Sequence, residues 1–197
     1  MRTPKPSPAT LAVITFSLPE EWEAWLEKHH SRSPGVWLKI QKKDSKLPSP
    51  NYAEALDIAL CFGWIDGLKK PHDQNSWLQK FTPRRPRSGW SKRNTEHAER
   101  LIRTKKMRPA GLAEIAAAKK DGRWTAAYDP PSEAKVPADF IKQLKSDKAA
   151  HAFFKTLNKT NLYAIIYRLQ TAKKPETRER RMTLILDMMK KGKKFHP

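Results

Sequence analysis

The chain of 197 residues carries 40 Lys and Arg against 20 Asp and Glu, a formal net charge of +20, with 38% hydrophobic and 30% charged residues. That apolar content supplies one sizeable core or two small ones, which excludes disorder throughout, and the charged fraction excludes a membrane-embedded protein. So large a charge points to polyanionic partners: nucleic acid, anionic lipid or lipopolysaccharide, or acidic proteins.

Residues 1–9, spaced by Pro4, Pro6 and Pro8, read as a disordered tail. The apolar run that follows, Leu11–Phe16, is shorter than the roughly 7 to 15 residues of a secretory core, so a cytoplasmic location without signal peptide or transmembrane segment is expected. Thr10–Phe16 reads as a strand. Ser17 with Glu20 forms a capping-box pattern opening a helix with Trp22, Trp25, Leu26 and His29 on one face. After Pro34-Gly35, Val36, Leu38 and Ile40 alternate with Trp37 and Lys39, the period of a half-buried strand. Lys42–Pro50 is a polar loop. Asn51 and Glu54 start a second helix that ends at Gly63. Trp64–Lys69 and Ser76–Phe81 read as two further strands around a turn.

From Pro83 the pattern becomes helical. Ser91 opens a helix with Ala98, Leu101 and Ile102 on one face, and Pro109 opens another that stops at Gly122. Tyr128–Pro137, with three prolines, reads as a linker. Beyond it, Leu162, Ile165, Ile166 and Leu169, then Met182, Ile185, Leu186 and Met189, give two helices with matching apolar faces. The expected fold class is therefore α+β: a disordered tail over 1–9, a small antiparallel sheet with helices over 10–130, and a helical C-terminal module over 131–197.

The charge is concentrated. Leu68 to Arg108 holds 13 Lys and Arg against 3 acids, and Arg168 to Pro197 holds 10 against 3. Concentrated charge is what a polyanion footprint requires, because each neutralised phosphate releases counterions. The densest element is Phe81-Thr-Pro-Arg-Arg-Pro-Arg-Ser-Gly-Trp-Ser-Lys-Arg-Asn94. Arg84, Arg85 and Arg87, followed by Ser91, Lys92 and Arg93 at a helix start, are the candidate anion contacts. Trp77 and Trp90 are candidate stacking surfaces, with core filling as the competing role for Trp77, and stacking beneath the arginines for Trp90.

Catalytic signatures are sparse. GxxxxGK[ST], GxGxxG, HExxH, GxSxG and CxxC do not occur. The single cysteine, Cys61, makes no intrachain disulfide or cysteine-built zinc site and reads as buried and structural. His72, Asp73 and His97 have no metal-ligand spacing, and no cofactor is expected. Asp66, between Gly63 and Gly67, is open to three roles: general base, partner of Arg84 or Arg85, or turn-former.

Ala59-Leu-Cys-Phe-Gly-Trp-Ile-Asp-Gly67, Phe81–Asn94, Met107-Arg-Pro-Ala-Gly111, Asp121-Gly-Arg-Trp-Thr-Ala-Ala-Tyr128 and Ala172-Lys-Lys-Pro-Glu-Thr-Arg-Glu-Arg-Arg181 together resemble the YdeI/OmpD-associated, or bacteriocin-protection, family. The resemblance runs in order from about Ile14 to Lys194, with the family's C-terminal helical module at Asn158–Lys191. It implies tolerance of cationic antimicrobial peptides and association with an outer-membrane porin, and it brings no catalytic residues or cofactor. The leading expectation is a non-enzymatic protein whose basic surface binds a polyanion, with nucleic acid as the foremost partner. Two others stand beside it: an enzyme on a small anionic substrate, with Asp66 and Arg84 or Arg85 in one pocket, and an envelope-stress protein shielding an anionic envelope component or a porin.

Overall fold

A computed structural model describes residues 11–197, so the tail expected over 1–9 lies outside the described residues. Those residues form, in order, β1 (Val13–Thr15), α1 (Pro19–His29), β2 (Val36–Gln41), α2 (Tyr52–Cys61), β3 (Trp64–Pro71), β4 (Ser76–Pro83), α3 (Lys92–Arg103), α4 (Pro109–Lys120), α5 (Ala138–Leu144), α6 (Lys148–Lys155), α7 (Lys159–Gln170) and α8 (Pro175–Lys190). The class is α+β, a sheet with helices followed by helices alone.

The chain divides into two compact units. The first runs through Ser88 and resumes over Asn94–Thr125; the second comprises Gly89–Arg93 and Ala126–Pro197.

In the first unit the strand order is β1-β2-β4-β3. Pairing is antiparallel between β2 and β4 and between β4 and β3, as expected, but β1 lies parallel to β2. The reason is α1, which crosses back and returns the chain in the same direction, as a parallel neighbour requires. The start of α1 also differs from the expected box. Pro19 takes the first helical position, where its missing N–H costs nothing, Leu18 becomes the cap, and the Glu21 carboxylate accepts from the N–H groups of Ser17 and Leu18. In α2 the expected box is present: the Asn51 side chain accepts from the N–H groups of Ala53 and Glu54, and Glu54 accepts from the Asn51 N–H.

The Trp stripe of α1 fills the core. Trp22 and Leu26 are fully buried, and burial of each contributes roughly 1.5–3 kcal/mol. Trp22 meets Phe81 and Trp64 with ring centroids 5.7 and 6.2 Å away, and its indole N–H donates to the Ala55 carbonyl of α2 at 3.1 Å. Register places Val36, Leu38 and Ile40 on the same sheet face as Phe81, Gln79 and Trp77.

In the second unit, Phe140, Leu144, Ile165, Leu169, Met182, Ile185 and Met189 form one core. Pro175 starts α8, and Gly192 follows it with φ +61°, as a helix stop requires. Buried Asn161 accepts from the N–H groups of Phe195 and His196, both at 3.0 Å, which ties the C-terminal segment to α7.

Candidate anion-binding cleft

The first unit carries a cleft of about 820 Å³ at the end of the sheet that α2 leaves open. Strand pairing assembles it. Ile40 faces Trp77, Gln41 faces Ser76 and Pro71 faces Trp77, so the end of β2, the Lys42-Lys43 pair beyond it and the end of β3 all arrive beside Trp77. Lys42, Lys43, Lys69 and Lys70 line the cleft with Tyr52 and Trp77, and no Asp or Glu does.

A bulge in β3 aims two of those lysines. Asp66 faces Phe81 but Lys69 faces Gln79, so β3 advances three residues while β4 advances two. In an unbroken ladder Lys69 would face Leu78 and project from the opposite side of the sheet. With the bulge, Lys69 shares a face with Trp77 and its ammonium lies 4.1 Å from that ring's centroid. Lys70 takes the other face, 4.3 Å from the Trp37 centroid. The side chain of Gln79, 3% exposed, donates to the carbonyls of Gly67 at 2.9 Å and Leu68 at 3.4 Å, holding the bulge closed.

The rest of the wall is fixed by hydrogen bonds. The Tyr52 hydroxyl donates to the Asp66 carboxylate at 2.7 Å, and the Tyr52 ring stands 6.1 Å from Trp77. Lys42 Nζ donates to the Gln74 carbonyl at 2.9 Å, tying β2 to the β3–β4 turn, and Lys39 pairs with Asp73 of that turn at 3.2 Å. Ammonium groups attract phosphate oxygens, and the half-buried indole beside them offers a flat π surface for a planar ring.

The residues singled out in the sequence are distributed differently. Arg84 is 6% exposed and its N–H donates to the Gly63 carbonyl at 3.0 Å. With Arg85 and Lys80 it lines a separate hollow of about 360 Å³, and Asp66 is not among that hollow's lining residues. Arg87 is exposed, with φ +66°, a left-handed conformation uncommon for a side-chain-bearing residue. These three arginines belong to the first unit, whereas Trp90, Ser91, Lys92 and Arg93 belong to the second.

In the second unit, Ser91 stands just before α3 in a parallel bridge with Tyr128, and Arg93 is exposed. Lys92 Nζ lies 2.5 Å from Asp129, whose carboxyl is held below its ordinary range by that hydrogen bond first and by Gln170 second. Trp90 is 2% exposed, so its faces lie inside the protein. Lys42, Lys43 and Tyr52 escape sequence reasoning because they sit in segments apart from the dense basic stretch; only the strand register brings them to Trp77.

His97 Nδ1 lies 2.7 Å from Asp57, which also receives Arg100, and no metal-binding cluster of His, Cys, Asp and Glu occurs among the described residues. Nor, among those residues, is any helix long and apolar enough to cross a membrane.

Two family models match the chain. Residues 14–114 match a domain of unknown function, DUF8412, and residues 133–192 match the family described as bacteriocin-protection, YdeI or OmpD-associated. Of the stretches carrying the resemblance, Ala172–Arg181 lies in the second match, while Ala59–Gly67, Phe81–Asn94 and Met107–Gly111 lie in the first. No curated protein and no solved structure matches. The first match spans just over half of the residues; the chain belongs to that family of unknown function and carries a YdeI/OmpD-associated domain behind it.

Proposed function

We propose that the protein is a polyanion-binding protein whose partner is nucleic acid, held at the lysine-rimmed cleft of the first unit. The observation that carries this reading is the cleft's composition: four lysines, no carboxylate and the half-buried Trp77 on one wall. Binding a phosphate backbone there gains free energy from released counterions, and the net charge of +20 steers the approach of any polyanion. Arg84, Arg85 and Arg87 add positive charge to the same unit. An aromatic wall favours nucleic acid over a lipid headgroup or a bare polyphosphate, because only a nucleic acid brings planar rings along with its phosphates.

The test is fluorescence anisotropy of a labelled oligouridylate of about 12 nucleotides with full-length protein at about 50 mM salt, where electrostatic association is strong. The combined substitution Lys43→Gln, Lys69→Gln and Lys70→Gln weakens binding about tenfold or more; the combined substitution Arg85→Gln and Arg87→Gln weakens it less. Equal affinity of the lysine variant and the unsubstituted protein overturns the reading.

A further inference from the structure

We infer that the cleft takes unpaired nucleic acid, one base of which stacks on Trp77 while Lys43, Lys69 and Lys70 hold the flanking phosphates. This rests on the polyanion-binding reading above and specifies its substrate class.

Three observations carry it. First, Trp77 is only half-buried although it sits on the face that forms the core elsewhere, because α2 begins at Tyr52 and leaves this end uncovered. Its volume of about 820 Å³ falls within the range of small-molecule sites, so the cleft admits an inserted ring rather than only a grazing backbone. Second, the Lys69 ammonium at 4.1 Å from the Trp77 centroid marks that ring face as reachable by a polar group. A base sliding onto the indole displaces the ammonium sideways, towards the phosphate the base brings with it. Third, the bulge closed by Gln79 puts Lys69 on that face and Lys70 on the other, so consecutive residues place cations on both sides of the strand edge.

A duplex cannot use this arrangement. Its bases are stacked on one another and expose only their edges, so stacking on Trp77 would require a base to leave the helix at the cost of its own pairing and stacking. A single strand meets no such cost, and stacking on an aromatic side chain tolerates any base.

The test compares three labelled probes with equal numbers of phosphates: oligouridylate, an abasic strand of the same length, and an RNA duplex. The expected order of affinity is oligouridylate above both others. Trp77→Ala should weaken oligouridylate about tenfold and leave the abasic strand unchanged. A cooperative urea transition near that of the unsubstituted protein shows that the variant is folded, and Trp77→Phe, which keeps a ring, should retain most of the affinity. Equal binding of oligouridylate and the abasic strand, or equal loss for both in Trp77→Ala and Trp77→Phe, overturns stacking and leaves polyanion binding standing. Absence of binding by all three probes at about 50 mM salt overturns both.

Discussion

Gly111 shows how little room individual positions leave. It lies inside α4, and a β-carbon there would meet the Cys61 carbonyl and the Met107 sulfur at 2.5 Å and the Leu60 carbonyl at 2.7 Å. Two of those contacts are backbone, so the helices must separate to admit a methyl group. Gly111→Ala should therefore lower stability by roughly 1–3 kcal/mol, read as a lower urea midpoint, although alanine is the better helix former. Cys61, beside that contact, is buried, and burial first, then Glu23 and Asp57, push its thiol from the ordinary 9.0 up to about 11. Below about pH 9 both folded and unfolded chains keep the proton; between 9 and 11 the unfolded chain loses it first, so this contribution to stability is lost as pH rises through that window. The thiol should be inert to iodoacetamide at pH 8 in the folded protein and react promptly in urea; prompt labelling of the folded protein would contradict its burial. A buried cysteine was legible from its apolar neighbours. The role of Asp66 was not: its partner is the Tyr52 hydroxyl, fourteen residues earlier, and only the packing of α2 on β3 shows it.

Among the elements, those with strong periodicity or capping are legible in the sequence. The alternation in β2, the Asn51 cap of α2 and the apolar faces of α7 and α8 each record burial on one side, which sequence preserves. The parallel placement of β1 was not readable, because three residues encode no direction of pairing. The β3 bulge was hidden too: its carbonyls are satisfied by Gln79, on another strand. That makes Gln79 a positioning residue for Lys69. Gln79→Glu keeps the shape but removes the donor and sets a carboxylate against three carbonyls, those of Gly67, Leu68 and Lys80. It should cost about 1–3 kcal/mol in urea unfolding and weaken oligouridylate binding several-fold, while abasic-strand binding falls less. Unchanged oligouridylate affinity in a folded variant would show that the bulge does not serve the cleft.

For the molecule as a whole, the excess charge is the property most visible in sequence and the one that sequence alone places least well. The dense stretch Leu68–Arg108 supplies Lys69 and Lys70 to the cleft, while its Arg84 and Arg85 line another hollow and its Lys92 answers Asp129 in the second unit. Charge density along the chain therefore predicts a basic protein, whereas strand register decides which cations share a site with an aromatic ring. The measurement that tests the central claim most directly is the salt dependence of oligouridylate binding by the intact protein and by its Lys43→Gln, Lys69→Gln, Lys70→Gln variant. Loss of three phosphate contacts should flatten the slope of log K against log salt by about 2, since each contact on a single strand contributes roughly 0.7. Identical slopes for the two proteins would show that the cleft lysines do not touch the phosphates, and would contradict the account.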